Sequence, residues 1–150
     1  MQSNAASVTR AIGERLAGKL QPGDVLLLRG NLGAGKSELT RGIARGLGIE
    51  GVIPSPSFTI LNVYMEGRIP LYHFDWYRIT SVEELYEMGM DEYIGGDGIC
   101  VIEWPDNGRE AIPDTYLEIF LDPTGDTQRE IRLVPRGGFR NLEIESGEDT

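Results

Sequence analysis

The sequence predicts an α/β fold, a three-layer sandwich around a mostly parallel sheet, and three adjacent observations predict it. Val25-Leu26-Leu27-Leu28 is apolar without alternation, as a strand covered on both faces is. It runs into Gly30-Asn31-Leu32-Gly33-Ala34-Gly35-Lys36-Ser37, which fits the phosphate-binding pattern G-x-x-x-x-G-K-[ST]. Leu39, Ile43, Ala44 and Leu47 then recur at helical spacing. Buried strand, glycine loop and helix start, in that order, predict a fold of the P-loop NTPase type. The glycines let successive N–H groups turn inward, and the helix N-terminus adds its dipole. Lys36 is expected to meet the β- and γ-phosphates of a nucleotide, and Ser37 to offer a hydroxyl to Mg²⁺.

The remaining elements follow in chain order. Residues 4–20 read as an amphipathic helix through Val8, Ile12, Leu16 and Leu20, with Asn4 or Ser7 as its cap and Pro22-Gly23 as its end. Gly46 and Gly48 are read as stops of the helix after the glycine loop. Residues 51–59 carry two prolines and several hydroxyls, a stiff polar loop placed where a nucleotide-sensing switch would lie. Residues 60–64 and 69–75 alternate as a hairpin around Met65-Glu66-Gly67-Arg68. The second strand ends in the aromatic-rich run Tyr72-His73-Phe74-Asp75-Trp76-Tyr77-Arg78, and its Asp75 stands where such folds place a metal-linked carboxylate. His73 is read as a hydrogen-bonded histidine of the core or the sheet edge rather than a catalyst.

Ser81-Val82-Glu83-Glu84 is a capping-box start for a short helix. Ile99-Cys100-Val101-Ile102 reads as a second strand buried on both faces. Glu103 at its C-terminal end would face the ligand crevice, in the Walker B position usually held by Asp. Two further strands, 115–121 and 129–134, are joined by a turn at 122–126 and are expected as an antiparallel addition at the sheet edge. The domain is expected to span 1–135, with 136–150 as a flexible acidic tail.

Composition bounds the function. The net charge of −10, from 14 basic and 24 acidic residues, repels a bare phosphate backbone, so a nucleic acid would be met only through a partner. No apolar run reaches the length of a membrane span, and nothing at the N-terminus reads as a signal peptide. Cys100 is the one cysteine and lies in an apolar run, which fits a buried thiol and a cytoplasmic setting.

The glycine loop, Ser55-Pro56-Ser57-Phe58-Thr59, His73-Phe74-Asp75-Trp76-Tyr77-Arg78 and Ile102-Glu103-Trp104-Pro105 occur in this order. The ordered set resembles the TsaE family (also called YjeE), small bacterial P-loop ATPases needed for threonylcarbamoyl modification of adenosine in tRNA. The likeness covers roughly residues 5–135. It implies ATP and Mg²⁺ as ligands, held by Asn31, Leu32, Gly33, Ala34, Gly35, Lys36, Ser37, Glu38, Thr59 and Arg129. Ser37 and Glu103 would hold the metal. Lys36, Asp75 and Glu103 would carry the chemistry, with Asp75 near the γ-phosphate. The implied partners are proteins of the TsaD and TsaB type, tRNA being met only indirectly. Asn31 replaces a frequent Asp of the family, Ser37 and Ser57 replace Thr, and Trp76 replaces Leu.

Two other functions share the motif. A small-molecule P-loop kinase would need an acceptor pocket and an arginine-rich lid, whereas the region after the P-loop helix reads as a hairpin. A nucleotide-dependent assembly factor with little turnover differs mainly in rate. A GTPase is disfavoured, since no Asn-Lys-x-Asp segment is present.

Overall fold

The computed structural model describes residues 1–31, 33–51, 53 and 60–144. In chain order the elements are β1 (Gln2–Ser3), α1 (Ala6–Ala17), β2 (Val25–Arg29), α2 (Lys36–Gly46), β3 (Leu61–Tyr64), β4 (Leu71–Asp75), α3 (Val82–Glu87), β5 (Ile99–Glu103), β6 (Tyr116–Pro123) and β7 (Arg129–Arg136). Met90–Glu92 and Pro105–Ala111 form 3₁₀ segments. Among the described residues the strands make one seven-stranded sheet in the order β1-β7-β6-β2-β5-β4-β3. The central four, β6, β2, β5 and β4, run parallel. β3, β7 and β1 join antiparallel.

Two apolar clusters cover the sheet's faces and account for the three layers. On one face Ile12 and Leu16 of α1 and Leu39 and Ile43 of α2 pack against Leu26, Leu28, Val101, Leu117 and Ile119. On the other, Leu27, Phe74, Trp76, Cys100 and Ile102 lie under Leu85 of α3 and Met90. Each of these fully buried large aliphatic side chains is worth about 1.5–3 kcal/mol relative to exposure. The near-continuous apolar sequences of β2 and β5 follow from contact with both clusters. No helix among the described residues is long and apolar enough to cross a membrane.

The structure changes several sequence expectations. β6 is not part of an edge addition: it pairs parallel with β2, from Leu26↔Leu117 to Arg29↔Phe120, and only β7 and β1 lie beyond it. Its alternation arises because Leu117, Ile119 and Leu121 enter the α1/α2 core. Glu118 faces the other way, where Nε of Arg29 and Nε of Arg136 donate to its carboxylate at 2.8 and 2.9 Å. α1 is shorter than expected, and Ala5 is its N-cap, with no side-chain cap bond from Asn4 or Ser7. Ser81 does start α3, but its hydroxyl makes no cap bond. The backbone N–H of Thr80 donates to Glu84 instead, at 3.1 Å.

Gly46 is not a stop but the last residue of α2, and Gly48, with φ 87°, supplies the left-handed turn. α1 and α2 approach backbone to backbone: a Cβ at Gly42 would stand 2.1 Å from the carbonyl oxygen of Arg10. Of the segment read as a tail, Arg136 belongs to β7 and Phe139 is buried in the α1/α2 core. Nη1 and Nη2 of Arg140 donate to the Asp24 carboxylate at 3.0 and 2.7 Å. The folded body therefore reaches past residue 135.

Candidate functional site

The parallel register brings the sequence-predicted residues together. Glu103 lies opposite Leu28 on one side and Asp75 on the other, so both acids line the C-terminal edge of the sheet beside the glycine loop. Gly35, the N-cap of α2, has φ 100°, a conformation costly for any residue with a Cβ, and it turns the chain so that Lys36 opens the helix. Lys36 is buried, as are Asp75 and Glu103. Its Nζ stands 3.8 Å from Oε1 of Glu103 and 4.1 Å above the centre of the Trp104 ring. Burial pushes the ammonium's pKa below its ordinary value, and Glu103 and Asp75 pull it back.

Each acid is held by a different neighbour. Nε2 of His73 lies 2.7 Å from Oε2 of Glu103, both groups being buried. Oδ1 of Asp75 accepts the backbone N–H of Tyr77 at 2.9 Å. The segments after the acids are tied together: Trp76 N–H donates to the Glu103 carbonyl at 3.0 Å. Nδ2 of Asn107 donates to the carbonyls of Trp76 and Tyr77 at 2.8 and 3.2 Å. Trp104 takes φ 57°, ψ 51°, at a cost on the order of 1–2 kcal/mol for a non-glycine residue. That turn lays its ring between Lys36 and the half-exposed Tyr77, whose ring centre is 4.9 Å away. Arg29 holds the following segment through a 2.8 Å ion pair with Asp106.

Arg129, distant in sequence, braces the glycine loop from the other side. Its Nε donates to the carbonyl of Ala34 and its Nη2 to that of Gly33, both at 3.0 Å. Beside this contact lies a cavity of about 350 Å³ lined by Asn4, Thr9, Gly33, Glu38, Thr127 and Arg129, among others. A second, of about 270 Å³, opens over Lys36 between Asn31, Trp104 and Asp122. Ser37, half-buried, follows Lys36, and Glu38 is engaged by Arg10 and Arg41. Leu32 and Thr59, together with the rest of the loop 54–59, lie outside the described residues.

The donor set fits a small hard cation bound with a phosphate ligand. Ser37 and Glu103 supply one hydroxyl and one carboxylate, and no group of three or more His, Cys, Asp or Glu able to cage a metal exists among the described residues. Mg²⁺ suits such a site because it keeps several waters and takes phosphate oxygens. Reading the sequence missed Asn107, Arg29 and the His73–Glu103 pair. Each acts across strands that local periodicity cannot relate. Only the Asp-Asn that follows Pro105, polar residues after a strand end, hinted at Asn107.

The family described as "Threonylcarbamoyl adenosine biosynthesis protein TsaE" matches residues 3–131. The chain belongs to the TsaE family. A relative in Bacillus subtilis (strain 168), tRNA threonylcarbamoyladenosine biosynthesis protein TsaE, is 44% identical over 129 residues, 86% of this chain and 80% of its own. The protein of the same name in Treponema pallidum (strain Nichols) is 41% identical over 132 residues, covering 88% of this chain and 97% of its own. The crystal structure of Bacillus subtilis YdiB superposes with a TM-score of 0.79 at 39% identity, over 92% of this chain and 84% of that one. For this TsaE-family chain the resemblance read from four segments thus extends to the whole fold.

Proposed function

We propose that the chain binds ATP with Mg²⁺ at the glycine loop and hydrolyses it to reset or regulate a tRNA threonylcarbamoyladenosine-forming complex of TsaD- and TsaB-type proteins. The observation that carries this reading is the buried Lys36 ammonium at the start of α2, set 3.8 Å from Glu103. The triphosphate is the ligand that would draw the lysine off its carboxylate and aromatic neighbours. The names of the relatives supply the pathway.

In this reading the loop N–H groups of Gly33, Ala34, Gly35 and Lys36 cradle the phosphates. Lys36 neutralises charge at the β- and γ-phosphates. Ser37 and Glu103 would hold Mg²⁺, which would supply positive charge against the phosphates. Asp75, buried with its Oδ1 fixed by the Tyr77 N–H, orients or deprotonates the attacking water. Arg129 keeps the loop in its binding shape, and the cavity between Thr9, Glu38 and Thr127 takes the nucleoside end. Steady-state ATPase of the chain, alone and with saturating partner complex, tests the reading. Slow turnover alone and faster turnover with partners is expected, because the half-exposed Tyr77 and Trp104 beside the site offer a surface a partner can order. Equal rates would show that the chain carries a complete site by itself.

A further inference from the structure

We infer that His73 fixes which oxygen of Glu103 faces the bound cation, and thereby sets the site's preference for Mg²⁺ over Ca²⁺. This rests on the reading of Glu103 as a metal ligand. His73 is 2% exposed, in the middle of β4, with Asn62 of β3 and Val101 of β5 as its register partners. A carboxylate oxygen 2.7 Å from Nε2 requires a proton between them, so Nε2 donates to Oε2. Nδ1 has no hydrogen-bond partner among the described residues. The ring therefore has one fixed task, the bond to Glu103.

That bond divides the two carboxylate oxygens. Oε2 is committed to the histidine, whereas Oε1 is the oxygen turned toward Lys36, 3.8 Å from its Nζ. With Oε2 held, Glu103 has a single oxygen to give a cation. Mg²⁺ is satisfied by single oxygens in a tight octahedron, whereas Ca²⁺ favours six to eight ligands and readily takes a carboxylate through both oxygens. A histidine bonded to the far oxygen thus favours the smaller ion, and it also keeps the carboxylate from rotating. His73 is a positioning residue: it would touch neither nucleotide nor metal.

The test is equilibrium binding of a fluorescent, non-hydrolysable ATP analogue to the full chain, titrated with Mg²⁺ or Ca²⁺ and repeated in EDTA. His73→Gln keeps an amide N–H near the place of Nε2, His73→Asn is too short to reach, and His73→Leu has no donor. Wild type and His73→Gln are expected to share the same preference for Mg²⁺. His73→Asn and His73→Leu should bind Mg²⁺ about tenfold or more weakly, with a smaller change for Ca²⁺ and none in EDTA. Circular dichroism identifies the folded variants, and a variant that does not fold is left out of the comparison. A folded Asn or Leu variant with the wild-type Mg²⁺/Ca²⁺ ratio overturns the inference, as does a folded Gln variant that loses it. Glu103→Gln separates the two readings. If it retains the wild-type metal dependence, Glu103 is no ligand and both fall; if it loses that dependence, failure at His73 is failure of this inference alone.

Discussion

Two neighbouring strands end alike and diverge at once. β4 closes on Asp75-Trp76 and β5 on Glu103-Trp104, an acid followed by a tryptophan at adjacent positions of the same sheet edge. Trp76 continues inward: it is fully buried and meets Phe74 edge-to-face at 6.0 Å. Trp104 is followed by Pro105, enters the left-handed region and lays its ring against Lys36. The acids differ in the same sense. Asp75 is held by a backbone N–H of its own turn, Glu103 by a histidine on the next strand. The Tyr77 N–H thus sets an oxygen of Asp75 from within its own turn, whereas Glu103 is set from across the sheet.

Substituting the members of each pair probes that contrast. Asp75→Asn should lower ATP turnover by about 10²–10⁴-fold, the range for a lost general base, with nucleotide affinity largely kept. Glu103→Gln should instead remove the Mg²⁺ dependence of binding. Titrations showing the reverse would exchange the roles of the two acids. Trp76→Ala should cost about 3–5 kcal/mol of stability in urea denaturation, as for other buried aromatic truncations. Trp104→Ala should cost far less, since the side chain is only half-buried and its contact with Lys36 is worth about 0.5–2 kcal/mol; the left-handed strain stays, because alanine keeps the Cβ. Equal losses would mean that Trp104 is also a core residue.

Asn107→Ala should cost about 1 kcal/mol for its hydrogen bonds to the Trp76 and Tyr77 carbonyls, and should loosen both acid-bearing segments together. Fluorine labels on Tyr77 and Trp104 would report this as broadening at both sites. A last effect lies at alkaline pH. Burial raises the Cys100 thiol from 9.0 to about 12, and the Asp97 hydrogen bond raises Tyr72 from 10.0 to about 12. Both groups ionise more readily unfolded, so stability is full below pH 9 and falls as pH rises toward 12, by about 1–2 kcal/mol at pH 10 for the thiol. Denaturation midpoints at pH 8 and pH 10 would check the sign.

The strands β2 and β5, the glycine loop and both acids were legible because each is a local pattern: an apolar run, a fixed spacing, a charge at a strand end. The β3–β4 hairpin was legible for the same reason. The place of β6 was not, since its alternation looks the same whether its neighbour is an edge strand or β2. The partnership of His73 with Glu103 was also invisible, because it joins residues 30 apart through a parallel register that no short window contains. Trp104 could be placed near the site, but its left-handed backbone depends on what surrounds it after folding. Arg129 entered only through the family likeness, and its donation to the loop carbonyls of Gly33 and Ala34 gives that likeness a physical content.

The contact between α1 and α2 has a genetic consequence. A methyl group at Gly42 would lie 2.1 Å from the Arg10 oxygen, and one at Gly13 2.5 Å from the Leu39 oxygen, so either alanine must push the helices apart by roughly an ångström. α2 begins at Lys36 and carries Ser37 in its first turn. A displacement of that size at reacting groups can cost on the order of a hundredfold in rate. Screens for conditional alleles should therefore recover Gly13 on α1 and Gly42 on α2 alongside the loop itself: lesions that touch no ligand, lie where the two helices meet, and weaken the site at the start of α2.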